Sequence, residues 1–469
     1  MNAVSVDSAY PIGERPSRDP WGVPELFIIS QTLLPAMLYL PGTQPIRIPL
    51  RIAAFLISFA LVAWWFFQRS DRQEDDRHPA VPWLVAVIAG IGLMLFHPQT
   101  TTFTGGLAQI GLYVCVFAPV LWAPSLVRTP TRLRRLMALL LLCNGLNSVV
   151  GVLQVYDPAR WLPDEFSRIV TQSELGLGPV TYTGANGQLV VRPPGLFDTP
   201  GAVAGPGMYA ALLGLIFGAT RFRAWQRLSF TALSFAGFAA MYLSQVRMSL
   251  VVSAGMILVY FAVLAAQRRF STATMFATIT VAVLAGAFLF AVALGGTQVI
   301  TRFATLFEAD PFTVYYAARG GQLSYTFRDT LFDFPFGAGL ARWGMPAVYF
   351  GRPTLDAPSL WAEIQLTAWI LDGGLVFMLL NVAALAAASA YELRLARQHA
   401  DPVLAACGAA VFAANLGPIA MIFSFTPFVT QIGVQYWFLA GALHGVAQQT
   451  QQDHSAWHAP AEAGVPAAV

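Results

Sequence analysis

Four clusters of residue types carry the chemistry this chain could perform. The first is Arg192-Pro193-Pro194-Gly195-Leu196-Phe197-Asp198-Thr199-Pro200-Gly201, a rigid turn that runs into a helix start near Gly205. Helix N-termini and guanidinium forks both favour phosphate. A cation at this junction therefore suits an anionic ligand, and its bland alternative is an arginine snorkelling at a membrane surface. The second is Ser244-Gln245-Val246-Arg247-Met248-Ser249-Leu250. The turn between the flanking apolar runs is so short that Arg247 must lie at or just inside the membrane boundary. An ionisable group there is costly and reads as a site, with a structural ion pair as the competing reading.

The third cluster runs from Arg319-Gly320-Gly321 to Arg328-Asp329, then Pro335-Phe336-Gly337-Ala338-Gly339 and Arg342-Trp343. Arg328 opens an amphipathic stretch with Tyr325, Phe327, Leu331 and Phe332. For Arg319 and Arg342 the competing expectation is a solvated loop face. The fourth is Glu363, in Pro358-Ser359-Leu360-Trp361-Ala362-Glu363-Ile364-Gln365, the carboxylate at the mouth of a later apolar run. A carboxylate in apolar surroundings suits a general base. It equally suits a residue that holds an arginine in place, and both roles stay open.

Other chemistries find no residues. The sequence has no HExxH, P-loop or GxSxG, and the lone Gly337-Ala338-Gly339 lacks the strand–turn–helix context of a nucleotide fingerprint. Cys115, Cys143 and Cys407 lie in apolar runs without CxxC spacing and read as small buried hydrophobes. No metal site, cofactor or nucleic-acid partner is expected.

The elements that position these clusters follow from composition. Of 469 residues, 56% are hydrophobic and 11% charged, at a mean hydropathy of +0.59. Soluble domains carry about 25% charged residues, so much of this surface must face lipid. Apolar runs occur at about 24–41, 48–68, 80–97, 106–126, 134–155, 201–220, 227–243, 246–266, 273–295, 360–390, 402–424 and 427–447. Most are near the roughly 20 residues that cross a bilayer core. The fold class expected is all-α, a polytopic membrane protein of about twelve transmembrane helices.

All 27 basic residues are arginine. With the N-terminus inside, sixteen fall in inside segments and three (Arg47, Arg51, Arg247) in short opposite loops, an asymmetry that puts both termini in the cytoplasm. The remaining eight lie in two long loops on the outer side, which escape the charge rule. The expected organisation is a cytoplasmic segment 1–23 without a cleavable leader, spans over 24–155, a periplasmic loop 156–200, spans over 201–295, a large periplasmic loop 296–359 with catalytic elements, spans over 360–447, and a disordered cytoplasmic tail 448–469. Long loops with turn formers and aromatics are uncommon unless functional, which places the chemistry on the outer face.

With these residues in view, the chain resembles the O-antigen ligase and polysaccharide polymerase superfamily of bacterial inner membranes. The resemblance covers roughly residues 105–390. It rests on Arg192-x-x-Gly195-x-Phe197 leading to Pro200, Ser244-x-x-Arg247, Arg328 followed by Pro335 and Gly337-x-Gly339, and Glu363 eleven positions before Gly374-Leu375. It implies a metal-independent glycosyltransferase acting on an undecaprenyl-diphosphate-linked glycan donor, with a glycan or lipid acceptor, in contact with membrane lipids and other polysaccharide assembly proteins. By the same implication Arg192, Arg247, Arg328 and Arg319 bind the diphosphate, and Glu363, Arg247 and Arg328 are catalytic. The ligase branch usually carries His-Asn where this chain has Glu363-Ile364. That departure points toward polymerisation, while Pro200-Gly201 in place of a common Pro-Asn leaves the acceptor open. The rival reading is a lipid-linked glycan flippase or other polysaccharide transporter. It expects paired broken helices in two repeats, and the sequence shows no repeat.

Overall fold

The computed structural model describes residues 20–68, 77–163, 166, 178–220, 222–308, 310–397 and 401–458. Two of its long helices begin where a short polar side chain precedes proline. Thr129 accepts a hydrogen bond from the Arg132 amide at 3.2 Å ahead of the helix Pro130–Tyr156. Asp401 accepts from the Val403 and Leu404 amides at 2.8 and 3.1 Å ahead of Pro402–Met421. The side chain satisfies amides that would be orphaned, and proline fits the first turn because its missing N–H has no partner there anyway.

The protein is all-α and membrane-embedded. Seven helices are long and apolar enough to cross a bilayer: Arg47–Gln68, Phe103–Leu126, Pro130–Tyr156, Arg247–Ala266, Phe270–Gly295, Gln365–Arg397 and Pro402–Met421. Val23–Tyr39, Val81–Phe96 and Ala204–Ala219 are shorter apolar helices. Ala224–Ser244 and Gln431–His458 complete the set, so every apolar run read from the sequence is helical. Only seven meet the length and apolarity of a span; the others are short or, like Ala224–Ser244 with Gln226, Arg227 and Ser229, polar at one end.

Burial sorts the helices into layers. In Ala204–Ala219 every residue except Pro206 is buried, as expected of a helix apolar all round. Its small residues let Ala224–Ser244 approach closely: a Cβ on Gly214 would stand 2.6 Å from the Phe230 carbonyl oxygen, the close contact small residues permit between membrane helices. Arg47–Gln68 is its opposite. It buries only the seam Arg47, Leu50, Ala54 and Ser58 and lies at the bundle edge.

One expectation needs correction, and the two long loops carry elements of their own. The tail does not lose order at Gln448: without glycine or proline, Gln448–His458 continues the last helix, and 459–469 lie outside the described residues, as do 1–19 of the N-terminal segment. The segment 156–200 is not purely irregular. It carries a two-stranded antiparallel hairpin, β1 (Thr181–Thr183) with β2 (Leu189–Val191), Tyr182 opposite Val190. The segment 296–359 is largely helical, with Thr297–Ala304, a continuous run over Pro311–Asp333 and Gly344–Phe350.

The apolar run beginning near 360 becomes a helix only at Gln365, and it breaks at Gly373–Gly374. Gly374 has φ +72°, and a Cβ there would meet the Pro335 carbonyl oxygen at 2.1 Å. Only glycine permits this approach. The turn 335–339 docks on the break, with the Leu375 amide donating to the Pro335 oxygen at 3.1 Å and Ala338 to the Leu371 oxygen at 2.7 Å. Asp372, fully buried beside the break, accepts from Trp343 Nε1 and Tyr113 OH at 2.7 Å each and from Gln109 Nε2 at 3.2 Å. One carboxylate thus ties the 335–343 segment to the helix Phe103–Phe117.

Candidate functional site

Arg192 leaves β2 directly. The hairpin buries Tyr182 and Val190 against Val155, Leu243, Val299 and Phe303, and the Arg192 amide donates to the Val180 oxygen at 2.8 Å. After it, Gly195 exchanges two 2.8 Å hydrogen bonds with the Gln154 side chain, while Leu196 donates to Asn147 Oδ1 at 3.1 Å. Gly195 sits at φ +68°, where a Cβ would overlap Asn147 Oδ1. The Arg-x-x-Gly pattern therefore has a packing reason: the glycine lets the loop lie flat on the helix Pro130–Tyr156.

Arg247 is placed by a backbone reversal. Gln245 closes the preceding helix in the left-handed region (φ +56°), and Arg247 is the first residue of Arg247–Ala266. A cation at the positive end of a helix is electrostatically unfavourable and is relieved by an anion. Arg247 donates to Thr305 Oγ1 at 2.7 Å, on the short helical segment that carries Arg302.

Arg192, Arg247 and Arg302 line one pocket of about 1430 Å³, with Arg51 and Arg319 on the same walls. No carboxylate pairs with the first three among the described residues, and the Nε atoms of Arg192 and Arg302 are buried without a hydrogen-bond partner. Burial lowers the pKa of Arg302 from its ordinary value, and the Arg247 and Arg192 charges lower it further. Burial lowers Arg192 also, with Tyr182 opposing and Arg247 adding to the shift. Three partly desolvated cations that repel one another suit an anionic ligand.

The pocket is amphiphilic. Besides the arginines, it is walled by Phe55, Leu56 and Phe59 of Arg47–Gln68 and by Leu107, Gly111 and Leu112 of the facing helix. Asp198 also lines it, buried and ion-paired with both Arg47 and Arg51. Arg51 also reaches Tyr349 OH at 3.5 Å.

Of the residues singled out from sequence, Arg192, Arg247 and Arg319 come together in the pocket. Arg328 does not: its side chain is exposed on the 311–333 helical run and is absent from the pocket walls. Glu363 also lies off the walls and pairs with Arg319. Arg342 is 2% exposed rather than on a solvated face. It donates to Gln99 Oε1, the Ala338 oxygen and the Pro358 oxygen at 2.7–3.1 Å, stapling its own loop. Arg302 and Asp198 were not read as site residues. The signal for Arg302 is faint, a cation beside the i, i+4 apolar pair Val299 and Phe303 that its helix buries.

Fold and pocket define a membrane-embedded α-helical protein with an arginine-lined, amphiphilic cavity. No family model matches the chain, and no curated protein is similar to it in sequence.

Proposed function

We propose that the protein is a metal-independent glycosyltransferase that polymerises or ligates glycans carried on undecaprenyl diphosphate. It would be a multi-pass protein of the bacterial inner membrane, with twelve spans, cytoplasmic termini and the pocket at the periplasmic face. The observation that carries this reading is the convergence of Arg192, Arg247 and Arg302, without a carboxylate partner among the described residues, in a pocket that also has apolar walls. A lipid diphosphate has the same division, two phosphates on an apolar tail.

The chemistry suits those groups. An acceptor hydroxyl oxygen attacks the anomeric carbon, the bond to the diphosphate oxygen breaks, the leaving diphosphate carries away the electron pair, and the hydroxyl proton passes to water or to that diphosphate. Guanidinium groups fixed beforehand around that oxygen stabilise the developing charge, and arginine does so bidentately. For Glu363, the ion pair with Arg319 supports the role of holding an arginine at the pocket rim over that of proton acceptor.

The test is release of free undecaprenyl diphosphate from a glycan-loaded donor by purified protein in lipid. Glycan extension or transfer with stoichiometric release is expected, and both are lost in R192A, R247A and R302A. Movement of the donor across the bilayer without release would instead establish the flippase reading.

A further inference from the structure

Glu392 lies inside the bundle, 1% exposed, on the helix Gln365–Arg397. One oxygen, Oε1, accepts from Asn415 Nδ2 at 2.7 Å, and that amide also reaches the Tyr436 carbonyl oxygen at 3.3 Å. The other oxygen, Oε2, is buried with no partner, as are Asn415 Oδ1 and Tyr209 OH. No arginine or histidine pairs with Glu392 among the described residues.

Groups around it come from three other helices. Tyr209 belongs to Ala204–Ala219, Asn415 to Pro402–Met421 and Tyr436 to Gln431–His458, and Ser389 stands beside the Tyr436 phenol. The Tyr209 and Tyr436 phenols lie within electrostatic reach of the carboxylate, and the neighbouring Tyr391 leads to the buried pair His444 and His78. Neither phenol can supply a positive charge.

A bare carboxylate inside a membrane bundle is untenable, because its desolvation is far too costly without a compensating charge. Two of the orphaned atoms, Glu392 Oε2 and Asn415 Oδ1, are pure acceptors, and the phenol is an acceptor as well as a donor. Buried oxygen acceptors of this kind suit a proton or a small hard cation and suit neither soft metals nor anions. We propose that Glu392, with Asn415 and Tyr209, forms a binding site for one exchangeable positive charge, a proton or a sodium ion.

The site adjoins the pocket. Tyr209 lines that cavity, as does Gln435, the residue before Tyr436. A change of occupancy at Glu392 is thus one side chain away from the pocket floor. The proposal stands whether or not the cavity takes a lipid diphosphate, since none of its atoms belongs to the arginine cluster.

Thermal unfolding of the full-length protein in lipid nanodiscs tests it, in choline chloride and in sodium chloride, between about pH 6 and about pH 9. In choline the wild type loses several degrees of Tm as pH rises, because the proton leaves and the carboxylate stays bare. E392Q, neutral throughout, lacks that loss; contributions from His78, His444 and other titrating groups are common to both proteins and cancel in the difference. Recovery of the wild type by sodium at high pH, absent in E392Q, assigns the charge to sodium. A glutamate-dependent loss that sodium leaves untouched assigns it to a proton. Superimposable wild-type and E392Q curves in every condition overturn the proposal. Should E392Q fail to accumulate, infrared absorption of the wild type decides: a buried carboxylic acid carbonyl band must disappear with rising pH or with sodium, and an unchanging spectrum overturns the proposal.

Discussion

The Arg319 guanidinium donates to the Glu363 carboxylate at the rim of the pocket, across 44 positions of sequence. Arg319 comes from the helical run before the 335–339 turn and Glu363 from the segment just ahead of the broken helix. The pair therefore joins two segments whose relative position depends on that break. Arg319 touches the pocket and Glu363 does not, so under the proposed function the carboxylate would act through the arginine.

Glu363→Gln and Arg319→Gln should accordingly lower turnover to a similar extent, about 10–100-fold, as misplacement of a positioning group does. The double variant should be no worse than either single one. Steady-state kinetics of the four proteins check this; a far larger loss in E363Q than in R319Q would make Glu363 the proton acceptor instead.

Removing a guanidinium from the unpaired cluster should cost far more. Arg192→Ala, Arg247→Ala and Arg302→Ala are each expected to reduce turnover about 10²–10³-fold, the usual effect of deleting one fixed donor to a developing charge. Arg328→Ala, exposed and off the pocket walls, should stay within about twofold of wild type. Assays of diphosphate release at matched protein levels provide the comparison.

An anion should relieve repulsion in the empty cluster. Inorganic diphosphate is expected to raise Tm in proportion to the logarithm of its concentration once above its Kd, and to inhibit competitively with the lipid donor. Both effects should weaken with added salt and disappear in R247A. Titration calorimetry and thermal unfolding measure them.

Asp198 pairs with two arginines, the buried Arg47 and the half-buried Arg51. Asp198→Asn removes the carboxylate that both share and should destabilise the protein by about 3–5 kcal/mol. Asp198→Asn combined with Arg47→Met should recover part of that loss. Denaturation midpoints in the same detergent report the difference.

Gly374→Ala should displace the 335–339 turn, because the added methyl would meet the Pro335 oxygen and the backbone sits at φ +72°. A cost of about 1–3 kcal/mol is expected for the strained backbone alone. Loss of the Trp343–Asp372 hydrogen bond would follow and should appear as altered tryptophan fluorescence.

Helical class and membrane embedding are written along the chain as local quantities. Apolar runs of span length, few charges, and threonine or aspartate ahead of proline act within one or two turns of where they stand. Arg192 and Arg247 were legible for the same reason, each marked by its own turn. What the sequence alone could not decide was which distant cations meet. Arg302, Arg319 and Arg328 have similar loop contexts, yet the first two enter the pocket and the third faces outward. Arg342 sits in a turn suited to solvent and is buried by bonds to Gln99 and Pro358. These outcomes depend on the hairpin that seats Arg192, the αL residue Gln245 that aims Arg247, and the Gly374 break that receives the 335–339 turn. The first two are local backbone geometry seated by packing and the third is a long-range contact, and hydropathy carries no record of any of them.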